Sequence, residues 1–220
     1  MSPNPPRRTT HAYGSPTNLL VYDRWGTTGR PVLLLHGLLF DRTTWWPLAA
    51  ELATDGTIIA PDLPGHGETP RRRNCSPTNL ATQLAELIHS LGLRRAPIIV
   101  GHATSAWLAT AFARDFAVHA ILTIDAPTTA IAATVDSVIN AAGIDQVTDP
   151  YRPFAQPRRD PALLAAYRSW FDQPTASSKP ARSLSTAATA ASCNPPPSAE
   201  SRFAHLSDPQ GVAAALRTLM

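Results

Sequence analysis

Ile98-Ile99-Val100-Gly101-His102-Ala103-Thr104-Ser105-Ala106-Trp107 is the stretch that decides the fold. Its first three residues are bulky and apolar and read as a buried strand. Gly101 to Ser105 then forms a tight turn, and Trp107, Leu108, Ala111 and Phe112 repeat at helix spacing. A strand that turns this sharply into a helix brings backbone close to backbone, so its flanking positions must be small; Gly101 and Ser105 meet that need. At the apex stands Ala103, whose methyl group offers no reactive atom.

Working outward, residues 19–25, 31–35, 57–60 and 120–124 supply further strands beside 98–100. Val32 to Leu35 is continuously apolar, as expected of a strand covered on both faces. Ser76 caps a helix with Pro77 at its first position. Leu80, Leu84, Leu87, Ile88 and Leu91 give it one apolar face, and Gly92 closes it. Strands alternating with helices predict crossover connections and a mostly parallel sheet.

Beyond residue 127 the pattern changes. Residues 130–142 and 161–171 read as helices, the second begun by Asp160 and Pro161. Residues 173–201 hold one large aliphatic side chain, Leu184, and no aromatic, too little apolar area to offset ordering entropy. Asp208 and Pro209 open a final amphipathic helix carried by Val212, Leu216 and Leu219. The expected organisation is a flexible segment at 1–18, an α/β core at 19–127 and partial cap helices at 128–172. A low-complexity, disordered linker follows at 173–201, and a C-terminal helix of the core at 202–220.

At 220 residues the chain is long enough for one domain with a sizeable core, and 44% apolar residues exclude wholesale disorder. No apolar run approaches the roughly 18 residues of a spanning helix, so no membrane role is expected. The start of the chain is polar and proline-rich without the apolar middle of a secretory signal, which points to the cytoplasm. A net charge of +3, with arginines in short runs such as Arg71-Arg72-Arg73 and Arg158-Arg159, describes a solvated surface and not a nucleic-acid footprint. Cys75 and Cys193 lack metal or redox spacing, and the seven histidines lack zinc spacing. Gly65 and Gly67 read as turn residues, because no G-x-x-x-x-G-K follows. Neither a metal nor a cofactor is expected.

Five segments, in order, resemble the α/β-hydrolase superfamily, particularly its small esterase, lactonase and carbon–carbon-bond hydrolase branch. They are His36-Gly37-Leu38 after a buried strand, Asp62-Leu63-Pro64-Gly65-His66-Gly67-Glu68-Thr69, the Gly101–Ser105 turn, Leu122-Thr123-Ile124-Asp125-Ala126-Pro127, and Ser201-Arg202-Phe203-Ala204-His205-Leu206-Ser207-Asp208-Pro209. The resemblance implies an α/β fold with a mostly parallel sheet flanked by helices. It also implies a reduced cap and a missing or degenerate late strand. It makes the Gly101–Ser105 turn a G-x-S-x-G nucleophile elbow with Ala103 in the serine's place. It places Arg202 where the family has its histidine base, and a guanidinium stays protonated and cannot accept a proton. The backbone N–H groups of Leu38 and Thr104 would form an oxyanion hole. His36, Gly37, Leu38, His102 and Thr104 would surround a small carbonyl or carboxylate ligand. His205 is the nearest histidine to the lost base and a weak substitute for it. Ser105 faces the packing side, the Thr104 side chain turns away from the attack point, and Asp125 could orient a histidine.

Three functional readings follow from these residues. The chain could be a catalytically impaired or inactive family member that still binds a ligand. It could be an active hydrolase, or an enzyme with serine-independent chemistry. It could also be a decayed gene product whose 173–201 tract is read out of frame. Oligomeric state is left open.

Overall fold

The computed structural model describes residues 7–127, 129–172, 182–183 and 203–220. Its strands are β1 (Thr9–Tyr13), β2 (Leu20–Trp25), β3 (Pro31–Leu35), β4 (Thr57–Pro61), β5 (Ile98–His102), β6 (Ala120–Ile124) and β7 (Arg182–Ser183). They form one sheet in the order β1-β2-β4-β3-β5-β6-β7. Pairing is parallel from β4 through β7 and antiparallel where β2 meets β1 and β4. The mostly parallel sheet expected from the sequence is therefore present.

Every residue of β3 and β5 is buried, because helices cover both faces. Leu33, Leu35, Ile59 and Ile99 face one core, closed by Leu80 and Leu84 of α2 (Pro77–Ser90) and by Leu108 and Phe112 of α3 (Ser105–Asp115). Val32, Leu34, Ile58 and Ile98 face the other. That core is closed by Leu48 and Leu52 of α1 (Trp46–Leu52) and by Val212 and Leu216 of α7 (Pro209–Arg217). Alternation along β3 thus feeds two cores at once, each buried leucine contributing about 1.5–3 kcal/mol. Ser76 caps α2 by accepting from Asn79 N–H, and Asp208 caps α7 by accepting from Gly211 N–H. Both caps were legible in the sequence.

Four expectations are corrected. Segment 1–18 is not wholly flexible: β1 lies within it, paired with β2 from Thr9↔Arg24 to Tyr13↔Leu20. An edge strand needs backbone pairing rather than apolar alternation, and β1 is almost entirely exposed, so its polar sequence hid it. The helix expected over 130–142 begins only at α4 (Val135–Ala142), because the Thr134 side chain caps it at Ser137 N–H. The helix expected over 161–171 is two pieces, α5 (Pro161–Ala165) and α6 (Arg168–Phe171). At the join Tyr167 Oη donates to Pro64 O at 2.7 Å, and Trp170 Nε1 donates to Cys75 O at 2.6 Å. Those anchors fix the local path. Finally, tract 173–201 carries β7, where Arg182 and Ser183 pair in parallel with Leu122 and Thr123. The other residues of that tract, with Cys193 and Arg202, lie outside the described residues. Among the described residues no helix is long and apolar enough to cross a membrane.

Candidate functional site

The turn after β5 has the geometry of an elbow. Ala103 holds φ 47°, the left-handed region that disfavours a Cβ by roughly 1–2 kcal/mol. Its N–H donates to Ile124 O at 2.8 Å, which ties the apex to the end of β6. A Cβ on Gly101 would meet the Ser105 carbonyl oxygen at 2.8 Å, so only glycine lets α3 leave the strand here. Ser105 Oγ donates to His36 O, facing the packing side as expected. Two more non-glycine residues adopt positive φ, Leu39 at 72° and Asp125 at 53°. Ala103 and Asp125 line one cleft, as strained backbone tends to do at functional sites, while Leu39 lies in the β3-exit turn behind it.

That cleft encloses about 270 Å³. Ala103 and Thr104 form its floor, Asp125, Ala126 and Pro127 one side, and Ile131, Val138 and Ala141 the side towards α4. A Cβ on Gly37 would lie 3.4 Å from the Ala103 Cβ, so the β3-exit turn abuts the elbow. α3 has no side-chain N-cap; its Ala106 and Trp107 N–H groups donate instead to the elbow carbonyls of Ala103 and Thr104. The Leu38 N–H, expected to point at a ligand, donates instead to Thr104 Oγ1 at 3.0 Å. The Thr104 hydroxyl therefore lies on the Leu38 side of the floor and not turned away, a correction to the sequence reading. A second groove of about 400 Å³, lined by Arg7, His11 and Arg24, lies beside β1 and the start of β4, away from the elbow.

Two of the site histidines clamp loops. His36 Nε2 accepts from Leu63 N–H at 2.9 Å, and its Nδ1 donates to Gly37 O. His66 Nε2 accepts from Leu39 N–H at 3.0 Å, with Nδ1 turned to the Leu63 and Pro64 carbonyls. Each ring needs Nε2 unprotonated for its role. Burial pushes the pKa of His36 down and that of His66 well down. His205 is fully buried beneath Trp45 (4.1 Å between ring centroids) and beside His102 (4.7 Å). Burial, and then His102, push its pKa well below the usual histidine value, and neither ring nitrogen has a hydrogen-bond partner among the described residues. A ring so placed has no path to a cleft-bound substrate, so His205 is a packing residue. Trp45 is likewise core. Of the ligand-binding candidates, Thr104 lines the cleft, while His36, Gly37, Leu38 and His102 stand behind it.

An ion cluster under the β3-exit turn was not anticipated. Arg42, 6% exposed, places Nε 3.2 Å from Asp23, Nη1 on Asp62 and Nη2 3.1 Å from Glu68. Burial works against its charge, but Asp62 and Asp23 hold the guanidinium firmly protonated. Asp62 also accepts from the N–H groups of Arg42 and Glu68, closing the 62–69 loop that carries His66. The Asp62 motif was visible in the sequence; its arginine was not, because nothing in a sequence marks a buried cation. Among the described residues no group of three or more His, Cys, Asp or Glu is arranged to hold a metal.

Comparison with known proteins agrees with this geometry. The model of the Alpha/beta hydrolase family matches residues 32–219. An uncharacterized protein of Mycobacterium tuberculosis is 34% identical over 110 residues, which covers 50% of this chain and 30% of that protein. The chain thus matches less than a third of that relative's length. A thermophilic esterase from Thermogutta terrifontis superposes with a TM-score of 0.59 at 23% identity, covering 77% of this chain and 74% of the esterase. An N-acyl homoserine lactonase complexed with N-hexanoyl homoserine superposes with a TM-score of 0.60 at 14% identity, covering 77% and 72%. At these identities the superpositions show shared fold alone. With 188 of its 220 residues spanned by the family model, the chain belongs to the alpha/beta hydrolase family.

Proposed function

We propose that this protein is a catalytically impaired member of its family that binds a small carbonyl compound in the cleft above Ala103. The observation that carries the reading is the apex itself. Ala103 occupies a strained elbow on the cleft floor with only a methyl group to present. Acyl transfer needs a nucleophile, a base to take its proton, and donors for the oxyanion. The first is missing. For the second, no imidazole lines the cleft among the described residues, and sequence resemblance puts Arg202 in the base's place. The third survives in part as the Leu38 N–H, which lies beside the elbow. The esterase and lactonase named above suggest esters and lactones as the compounds to try.

Ala103→Ser is expected to raise p-nitrophenyl butyrate hydrolysis less than tenfold, because a hydroxyl without a base is a weak nucleophile. Wild-type protein should remain unlabelled by a fluorophosphonate probe. Donors and binding alone leave about 10³–10⁴ over water in well-studied triads, so faint turnover is compatible with this reading. Robust wild-type hydrolysis that survives Ala103→Gly would sink it.

A further inference from the structure

We infer that the Thr104 hydroxyl is a built-in occupant of the oxyanion donor, and that a ligand enters by displacing it with a neutral carbonyl oxygen. The inference rests on the carbonyl-binding reading above and says how that site is gated. Leu38 is 1% exposed and Thr104 2% exposed, so the Leu38 N–H cannot turn to bulk water. A buried amide is almost always paired. Here its partner is a side-chain oxygen 3.0 Å away, supplied by the elbow residue next to Ala103. The same residue lines the cleft floor. One oxygen therefore satisfies the donor that a ligand would need.

Such an occupant can leave. Rotation of χ1 to another staggered well, about 120° away, carries Oγ1 off the donor without moving the backbone. A carbonyl oxygen then replaces a hydroxyl oxygen like for like, and no new charge is desolvated. A carboxylate would have to shed its water in a cleft where, among the described residues, no Lys, Arg or His forms the wall. The body of the ligand would rest on Ala126, Pro127, Ile131, Val138 and Ala141, all apolar. Displacement lowers the apparent affinity by the fraction of molecules whose donor is open. Removing the hydroxyl abolishes that penalty.

The test is an NMR titration of the full chain with 2-hexanone, and separately with butyrate, on wild type, Thr104→Ala, Thr104→Val and Thr104→Ser. In wild type the Leu38 amide and the Thr104 methyl should shift together as 2-hexanone is added. Thr104→Ala should bind it at least tenfold more tightly. Thr104→Val, which puts a methyl against the donor, should bind it no better than wild type, and Thr104→Ser should behave as wild type. Equal affinity of wild type and Thr104→Ala would overturn the gating and leave the carbonyl-binding reading intact. Butyrate binding more tightly than 2-hexanone would overturn the neutral-ligand assignment. If neither compound binds any of the four proteins, the reading beneath it fails as well. Should Thr104→Ala not fold, the wild-type titration still decides, because an unmoved Leu38 amide with bound ketone refutes displacement.

Discussion

Arg42→Ala is expected to destabilise the protein by about 3–5 kcal/mol, the usual penalty for removing one partner of a buried ion pair. The side chains of Asp23 and Asp62 are fully buried, and the alanine variant takes the Arg42 guanidinium from both. The partners left to Asp23 are Thr10 Oγ1, Trp46 Nε1 and the exposed Arg8 guanidinium at 3.7 Å; Asp62 keeps only two backbone N–H groups, so it bears most of the loss. With total stabilities of about 5–15 kcal/mol, this variant approaches the unfolding threshold at room temperature. Glu68→Gln is the control. The Glu68 side chain is 66% exposed, so its loss should cost under about 1 kcal/mol. Urea midpoints of the two variants distinguish a buried cluster from a surface one. Equal small shifts would mean that water reaches Asp62.

Acid should be nearly as damaging. His36, His66 and His205 all have pKa values pushed down by burial in the folded protein. In the unfolded chain they titrate near the ordinary value of about 6.5. The sign follows from proton counting: below that value the unfolded state binds protons that the folded state refuses, so stability falls as pH falls. One pH unit of uncompensated protonation is worth about 1.4 kcal/mol per group. Between pH 7.5 and 5.5 the three imidazoles should therefore act together to lower stability. Burial raises the Asp62 carboxyl, which acts in the opposite sense. Its stabilising protonation comes in through its raised value and is lost as pH rises again. Urea unfolding at the two pH values measures the total, and His205→Leu should reduce the difference. A flat profile would mean that these rings are protonated as readily in the folded state as in the unfolded one.

The parts of the fold written in apolar periodicity were legible. The run Val32 to Leu35 announced a strand covered on both faces, and Ser76-Pro77 and Asp208-Pro209 announced two helix starts. What stayed hidden is held by backbone pairing or by distant polar contacts. β1 and β7 have no apolar alternation, and the break at Tyr167 depends on the Pro64 carbonyl, 103 residues away in the chain. The site divides the same way. The elbow and the β3-exit turn showed themselves as motifs, because their glycines answer to local sterics. The direction of the Thr104 hydroxyl did not, because its partner Leu38 is 66 residues distant. The Arg42 cluster was invisible for the same reason.

The histidine clamps have a consequence for selectivity. Leu39 and Leu63 are each fastened by a buried ring nitrogen, so the turn behind the cleft is a fixed jaw. Under the proposed function, the floor at Ala103 and Thr104 would be backed by a turn that does not remould. Under the same proposed function, tuning to longer or bulkier carbonyl compounds would fall to the rim where Ile131, Val138 and Ala141 stand. Exchanges at those three positions are where descendants of this sequence would diverge in what they hold.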